Sequence, residues 1–261
     1  MKFMKWIIII LLSISFAFSQ NIIELRKQAE QGDVVAQSNL GIFYEHGEGV
    51  PQDYNEALKW YKLAAEQGDS KAQFNLGVFY IKGKGISQDY TEAIKWHKLA
   101  AEQGVSRAQF NLGTFYEYGQ GIPQDYTEAL KWYKLAAEQG YPNAQYNLGL
   151  LYVNGLGVSQ DYTEALKWFK LSANQGLEKS QYSLGVLYVN GHGVSQDYAE
   201  ALKWFKLSAD NGDASAQFNL GVLYENGHGV SQNYTKAKEW YEKACNNGVQ
   251  IGCDTYKRLS L

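Results

Sequence analysis

The sequence has no excess of basic residues and few cysteines, and both shortages exclude classes of function. Its 24 lysines and arginines are outnumbered by 27 aspartates and glutamates, which leaves a formal net charge of −3. Because neutralising phosphates requires clustered positive charge, we expect no nucleic-acid partner and no polybasic contact with a membrane. Two cysteines are too few to hold a metal ion on their own. The remaining composition, 45% hydrophobic and 20% charged, is that of an ordinary folded protein.

Catalytic motifs are missing as well. The Ser-x-x-Lys pair of β-lactamase-type hydrolases does not occur, and neither do Lys-Thr-Gly, His-Glu-x-x-His or the phosphate loop Gly-x-x-x-x-Gly-Lys. The Gly-x-Gly pairs that do occur are turns with no strand before them, so they do not indicate a nucleotide site. We therefore predict no catalytic residue and no cofactor, and we favour a protein that is not an enzyme.

One long apolar run stands at the N-terminus. Lys2 and Lys5 precede a run from Trp6 to Phe18 that contains two serines. This pattern predicts a cleavable secretory signal at residues 1–19, with an uncleaved membrane anchor as the alternative. The run falls short of the ~20 mostly apolar residues that span a bilayer, so we expect no stable membrane insertion after cleavage. The predicted location is periplasmic or secreted.

The rest of the chain repeats one unit of 36 residues. The stretch 72–104, AQFNLGVFYIKGKGISQDYTEAIKWHKLAAEQG, has near copies before and after it. One glycine and one tryptophan keep the same step: Gly41, Gly77, Gly113, Gly149, Gly185 and Gly221, and Trp60, Trp96, Trp132, Trp168, Trp204 and Trp240. We predict six repeats, at 33–68, 69–104, 105–140, 141–176, 177–212 and 213–248. One capping helix is predicted before them at 20–32 and another after them at 249–261.

Each repeat encodes two helices joined by a glycine-containing turn. On a helical wheel, Leu40 lies in the apolar face of the first helix, and Gly41 lies beside it, where the missing side chain lets a neighbouring helix approach. Asp53 followed by Glu56 predicts a capping box at the start of the second helix. One such pair cannot bury its apolar face alone, so the copies must stack. The predicted fold is an all-α solenoid of helix–turn–helix repeats.

The residues that the copies share resemble a known repeat family. The pattern A-Q-x-N-L-G-x-x-Y-x-x-G-x-G-(V/I)-x-Q-D-Y-x-x-A-x-K-W-x-x-x-A-A-x-x-G looks like the Sel-one-like repeat (SLR), a relative of the tetratricopeptide repeat, and the likeness covers residues 21–261. It implies a right-handed superhelix of antiparallel helix pairs that serves as an adaptor for protein complexes, with no chemistry common to the family. The relationship also implies that the first helices line a concave groove.

The groove face of the first helices is where the copies differ, as a recognition surface requires. We predict that the groove binds a protein or peptide and that the protein is a monomer. The candidate binding residues are aromatic, amide and basic: Lys71, Phe74, Asn75, Arg107, Phe110, Asn111, Tyr146, Asn147, Lys179, Tyr182, Phe218 and Asn219. Two alternatives stay open, because the asparagines could tie each repeat to the next and the aromatics could form core between repeats.

The histidines do not predict a metal site. His192 and His228 share a loop position in successive repeats. Neighbouring helices lie ~10 Å apart, whereas zinc ligands lie ~2 Å from the ion, so we interpret both as solvated loop residues. His97 stands where the first repeat has Tyr61, and we interpret it as a structural residue. No metal is therefore predicted.

The last repeat differs from the others. Cys245 lies near the end of its second helix and Cys253 near the start of the predicted capping helix, so an exported chain with an even cysteine count predicts a disulfide, with two free thiols as the alternative. Lys243 replaces a leucine of the first five repeats, which predicts an end repeat with fewer neighbours. The cysteine pair resembles the Helicobacter cysteine-rich protein family. That resemblance implies an alternative function, penicillin binding with weak β-lactamase activity.

Overall fold

The computed structural model describes residues 22–260, and every regular element in that range is an α-helix. Helix α1 covers residues 22–30. The others are α2 Val34–His46, α3 Tyr54–Glu66, α4 Ser70–Lys82, α5 Tyr90–Glu102, α6 Ser106–Tyr118, α7 Tyr126–Glu138, α8 Pro142–Asn154, α9 Tyr162–Asn174, α10 Glu178–Asn190, α11 Tyr198–Asp210, α12 Ala214–Asn226, α13 Tyr234–Asn246 and α14 Gln250–Arg258. The predicted signal at 1–19 and the first residues of the predicted N-terminal capping helix lie outside the described residues. None of the helices described is long and apolar enough to cross a bilayer.

The helices form two compact units. The first unit contains α1–α6 and ends at residue 124, and the second unit begins at residue 125 and contains α7–α14. We call the first helix of each repeat its A helix (α2, α4, α6, α8, α10, α12) and the second its B helix (α3, α5, α7, α9, α11, α13). Within each unit the A helix of a repeat packs on the B helix of the same repeat, and that B helix packs on the next A helix. The predicted all-α solenoid is confirmed.

Aspartates fix the starts of the B helices, but the predicted capping box forms only in half. Asp53 Oδ1 accepts hydrogen bonds from the backbone N of Asn55 at 2.9 Å and of Glu56 at 3.1 Å. The return bond does not form, because Asp53 N donates to Tyr44 O at 2.9 Å, and Glu56 accepts from Trp60 Nε1 at 3.2 Å instead. The same cap recurs at Asp89, Asp125, Asp161 and Asp197, with Asn233 in the sixth repeat. The reciprocal half of the prediction is wrong, since a turn carbonyl already occupies the aspartate N–H.

One glycine in the A helix permits close packing against a ring of the B helix. A Cβ placed on Gly41 would lie 2.5 Å from Cε1 of Tyr61, and one on Gly185 would lie 2.5 Å from Cδ1 of Phe205. Side chains cannot approach to such distances, so a larger residue would push the two helices apart. The predicted packing role of this glycine is confirmed.

A buried glutamine in each A helix joins it to the helix before it. Gln37 Nε2 donates to Ala29 O at 3.0 Å, and Gln145 Nε2 donates to Ala137 O at 3.1 Å. These carbonyls belong to the last turn of a helix and also accept from the backbone N of the glycine three residues later, so the glutamine is a second donor to each. The same bond is made by Gln73, Gln109, Gln181 and Gln217. No role was predicted for this glutamine, although its 36-residue step is visible in the sequence.

Helix α14 closes the second unit. Cys245 and Cys253 form the predicted disulfide between α13 and α14, with their Cα atoms 4.5 Å apart, so the free-thiol alternative does not apply. Arg258 Nη2 also donates to Glu225 Oε1 at 2.5 Å. The leucines at the position of Lys243 are already 38–47% exposed in the other five repeats, so the lysine replaces a residue that is only partly buried.

Candidate functional site

The predicted groove residues lie on A-helix positions that stay at least partly open to solvent. We call these open positions the A surface, which α2, α4 and α6 form in the first unit and α8, α10 and α12 form in the second. Lys71, Arg107 and Lys179 are exposed, and the predicted aromatics and asparagines are half-buried. Ser38 occupies the aromatic position in the first repeat, where it is buried and donates to Asp69 Oδ1 at 3.0 Å.

The aromatic side chains of the A surface also pack inward. Four of these rings lie near a ring of the B helix of their own repeat, so they share their area between core and surface. The ring centroids are 5.4 Å apart for Phe74 and His97, 5.7 Å for Tyr146 and Phe169, 5.7 Å for Tyr182 and Phe205, and 5.4 Å for Phe218 and Tyr241. These rings therefore support the fold and still present an edge to solvent.

The asparagines of the first unit are held by the preceding repeat. Asn111 Nδ2 donates to His97 Nε2 at 3.3 Å, and Asn75 lies within hydrogen-bonding reach of the Tyr61 hydroxyl. For these two residues the structure supports the alternative that asparagine ties one repeat to the next. The Asn111 amide is thus already engaged before any ligand binds, and the Asn75 amide has a polar partner within reach.

The asparagines of the second unit are not held in this way. The side-chain amides of Asn147 and Asn219 make no hydrogen bond to any residue between 22 and 260. The preceding repeat offers Asn219 no polar partner, because Phe205 replaces the tyrosine or histidine of the first unit. Ser183, which replaces asparagine in the fifth repeat, bonds its own helix at Lys179 O, 2.9 Å away. Identical asparagines therefore differ in what they can offer a ligand.

Two adjoining clefts open on the A surface of the second unit. The larger has a volume of about 290 Å³ and lies between α10 and α12, with α11 beneath it; it is lined by Tyr182, Val186, Val189, Asn190, Phe205, Asn219, Val222 and Leu223. The smaller, about 130 Å³, lies between α8 and α10 over α9 and is lined by Leu150, Val153, Phe169, Tyr182, Ser183, Val186 and Leu187. No charged side chain lines either cleft. Tyr182 and Val186 line both.

The clefts contain only part of the predicted site. Of the twelve predicted binding residues, Tyr182 and Asn219 line the larger cleft and Tyr182 also lines the smaller; the other ten line neither. The aliphatic floor, above all Val186, was missed. The signal was present at the position of Val186, because this A-helix position carries apolar residues in five repeats and Thr114 in the third.

The A surface of the first unit carries charge. Lys71, Lys82 and Arg107 are exposed on α4 and α6. On α2, Glu45 accepts a hydrogen bond from the Tyr61 hydroxyl at 2.8 Å and pairs with Lys84 Nζ at 3.0 Å. Burial and then the negative charge of Glu45 raise the pKa of Tyr61 above its ordinary range, so the hydroxyl stays protonated as the donor.

His97 is a buried neutral residue of the first unit. Its ring is fully buried, its Nε2 accepts from Asn111, and its Nδ1 has no hydrogen-bond partner within the described chain. Burial lowers the pKa of His97 to about 4, because the protonated ring would be desolvated without a counter-charge. The structural interpretation of this histidine is therefore supported.

The histidine, cysteine and acidic side chains of the described residues do not gather into a metal site. Residues 22–260 contain no cluster of three or more histidine, cysteine, aspartate or glutamate side chains that could hold a metal ion. His192 stacks on Tyr162 and His228 stacks on Tyr198, each with centroids 4.5 Å apart. These loop histidines thus pack on the preceding repeat while remaining exposed.

A family model decides the identity of the repeat. The model of the Sel1 repeat matches six consecutive segments, at 34–69, 70–105, 106–141, 142–177, 178–213 and 214–249. This chain belongs to the Sel1 repeat family. Sel1 repeat proteins share a scaffold fold that generally serves interactions between proteins, which agrees with the uncharged clefts and the lack of a metal cluster in the described range.

Solved structures of Sel1 repeat proteins resemble this chain closely. One is c5321, a protective antigen present in uropathogenic Escherichia coli strains, with 41% sequence identity, a TM-score of 0.90, and coverage of 93% of this chain and 52% of the E. coli protein. This Sel1 repeat chain therefore spans about half the length of that relative. Another is a Sel1 repeat protein from Oxalobacter formigenes, with 37% identity, a TM-score of 0.75, and coverage of 90% and 94%.

The cysteine-rich branch of the family gains no such support. The cysteine rich protein B of Helicobacter pylori matches with 22% identity and a TM-score of 0.40, covering 49% of this chain and 96% of that protein. A likeness at this level carries no argument about activity. No curated protein matches the sequence. The Sel1 repeat assignment thus rests on the repeat itself and on the first two structures.

Proposed function

We propose that this Sel1 repeat protein is an exported interaction scaffold that binds a peptide or protein segment on the A surface of its second unit. The observation that carries the proposal is the pair of adjoining clefts that share Tyr182 and Val186. Their volumes fall at or below the roughly 300–1,000 Å³ of small-molecule sites, so they suit single side chains of a larger ligand. Aromatic residues and a lack of charge are typical of the centre of a protein interface.

Export is proposed from two independent features. The disulfide between Cys245 and Cys253 is of the kind that persists in an oxidising compartment. Lys2, Lys5 and the apolar run after them have the order of a secretory signal. Expression of the full chain in a bacterium, followed by fractionation and N-terminal sequencing, tests the proposal. Uncleaved protein retained in the cytoplasm would contradict it.

The binding proposal is tested by capture from cell-envelope extracts on the immobilised chain without residues 1–19. Val186→Glu places a charge between the two clefts, and Val78→Glu makes the same change at the equivalent position of the first unit. We expect Val186→Glu to abolish capture of specific proteins and Val78→Glu to preserve it. The double variant Tyr146→Ala/Tyr182→Ala should also abolish capture, provided that its circular dichroism is unchanged, because both rings pack on buried phenylalanines.

Two related predictions need separate measurements. The monomeric state is tested by light scattering of the purified chain. Penicillin binding with β-lactamase activity stays a prediction of the cysteine-rich resemblance alone. Turnover of nitrocefin by disulfide-intact protein, above that of a heat-denatured control, would support it.

A further inference from the structure

We infer that helix α14 and its disulfide form a redox-controlled latch at the end of the second unit. The bond between Cys245 and Cys253 takes the place of the glutamine bond that ties each A helix to the helix before it, and its reduction releases α14 alone. The inference concerns the scaffold and not the ligand, so it does not depend on the proposed binding surface.

The two cysteines occupy the positions that the glutamine bond joins in the repeats. Cys253 lies one step of 36 residues after Gln217, and α14 thus corresponds to the A helix of a seventh repeat. Cys245 lies one step after Ala209. Gln217 Nε2 donates to Ala209 O at 3.3 Å, as the equivalent glutamine does in the five A helices before it. The disulfide joins the same two positions by a bond that a thiol can break.

A glutamine at position 253 would have less to join than the glutamines of the repeats. Gln217 bonds α11 through its donor, and its Oε1 accepts from Asn247 Nδ2 at 2.9 Å, at the end of α13. It therefore connects α11, α12 and α13. Within the described residues no B helix follows α14, so the side chain of Cys253 has only the preceding helix to join. A direct covalent tie to that helix suits this position.

Gly252 fits α14 to the covalent tie. In the six repeats the same position has a Cβ atom, since it carries Ala36, Ala72, Ala108, Ala144, Ser180 and Ala216. A Cβ placed on Gly252 would lie 3.1 Å from the Cβ of Ala244 and 3.1 Å from the carbonyl oxygen of Tyr241, which is closer than such atoms ordinarily pack. Helix α14 therefore lies too close to α13 for the alanine of the other A helices.

The remaining contacts of α14 are weak. Among its nine residues Gly252 alone is buried, so the helix gains little from burial of apolar side chains. Arg258 pairs with Glu225 but is mostly exposed to solvent, and the amine of Lys238 lies 5.2 Å from the centre of the Tyr256 ring, which is only half-buried. Exposed ion pairs contribute little, and helices shorter than about 12 residues are unstable alone. Without the disulfide, α14 is held too weakly to stay closed.

Closing the latch is an oxidation. The S–S bond forms, two S–H bonds break, and two protons and two electrons pass to a disulfide-containing oxidant, which becomes two thiols. A dithiol reverses the exchange and becomes a cyclic disulfide. Because the bond closes only a short segment at the end of the unit, the helices before α13 keep their own glutamine ties in either state.

The test is hydrogen–deuterium exchange, read by mass spectrometry, on the purified chain without residues 1–19. We expect the amides of α14 to exchange at least about tenfold faster after reduction with dithiothreitol, because the loop-closure entropy then opposes closing. The amides of α8–α11 should exchange at the same rate in both states. Equal exchange of α14 in the two states would overturn the inference. So would faster exchange throughout α8–α11, since the disulfide would then hold the whole unit.

A matched pair of variants tests whether the disulfide stands in for the glutamine. Cys245→Ala/Gly252→Ala/Cys253→Gln copies the residues of the sixth repeat, and Cys245→Ala/Gly252→Ala/Cys253→Ser differs from it only in lacking the amide. We expect α14 to exchange about fivefold more slowly in the glutamine variant, the ratio that corresponds to one hydrogen bond. Equal exchange in the two variants would show that position 253 is not a tie position.

One consequence rests on the proposed export. Disulfides persist in oxidising compartments, so an exported chain acquires its closed latch after it leaves the cytoplasm. The exchange measurements use purified protein and are independent of that step. If fractionation finds the chain in the cytoplasm while α14 still responds to dithiothreitol, export is wrong and the latch stands. If the chain is exported and α14 exchanges equally in both states, the latch is wrong and export stands.

Discussion

The two compact units share a repeat but present different A surfaces. The first unit exposes Lys82, where the second unit has asparagine, and it places Asn75 and Asn111 against polar groups of the preceding repeat. The second unit has clefts without charge, beside asparagines that bond to nothing in the described range. The scaffold is the same in both, because the buried glutamine, the packing glycine and the aspartate cap recur in each. A few substitutions therefore convert a surface whose polar side chains have partners within the protein into one whose polar side chains are free.

The ring at one position of the B helix explains much of this difference. Tyr61 and His97 offer a polar atom to the asparagine of the next repeat. Phe205 offers none, so Asn219 keeps its donors and acceptor free. A core residue of one repeat can therefore determine whether the asparagine of the next repeat has a partner within the protein.

The largest expected effect is a loss of folding stability at low pH, caused by the buried His97 of the first unit. His97 has a pKa of about 4 when folded, against about 6.5 in an unfolded chain, so the unfolded state binds its proton first as the pH falls. Stability from the neutral ring is complete above pH 6.5 and is lost between pH 6.5 and 4, by up to about 3 kcal/mol. His97→Phe should remove this part of the pH dependence. Urea unfolding at pH 7.5 and 4.5 measures it, and an identical pH dependence in both proteins would contradict the prediction.

The next effect concerns a feature of the second unit alone. Cys253→Ser opens the link between α13 and α14, and closing so short a loop stabilises by about 2 to 3 kcal/mol on the chain-entropy model. We expect a corresponding drop in the unfolding free energy, measured under oxidising conditions. Adding a reductant to the wild type should reproduce the loss and should not affect the variant. Equal sensitivity of both proteins to reductant would contradict this account.

A matched pair of variants tests whether the scaffold is the same in both units. Gln73→Leu in the first unit and Gln145→Leu in the second each remove two side-chain hydrogen bonds, one donated to a helix-end carbonyl and one accepted from a glutamine of the B helix. One such bond contributes about 1 kcal/mol, so both variants should lose about 2 kcal/mol of unfolding free energy. Chemical denaturation gives the two values. A loss in one unit only would show that the shared scaffold differs in strength.

The sequence predicts the scaffold well because repetition supplies several independent copies of each signal. The packing role of Gly41, the helix cap at Asp53 and the disulfide between Cys245 and Cys253 were predicted, and the structure confirms all three. The return bond of Glu56 was not predictable from spacing, because it depends on whether a turn carbonyl has already taken the Asp53 N–H. The clefts were missed for a related reason. Asn75 and Asn219 are the same residue at the same repeat position, but Asn75 lies beside the Tyr61 hydroxyl whereas the preceding repeat gives Asn219 the apolar ring of Phe205.

The variant with the smallest expected effect on stability makes the second unit more like the first. Phe205→Tyr restores to the fifth repeat the hydroxyl that Tyr61 has in the first. The new hydroxyl should engage Asn219, and one hydrogen bond changes stability by only about 1 kcal/mol. Capture of specific proteins from envelope extracts should weaken severalfold, since Asn219 would no longer be free for the ligand. Tyr133→Phe, which removes a hydroxyl from the same position of α7, is the control for the loss of such a group. If Phe205→Tyr captures the same proteins as well as the wild type does, the free amide of Asn219 has no part in recognition.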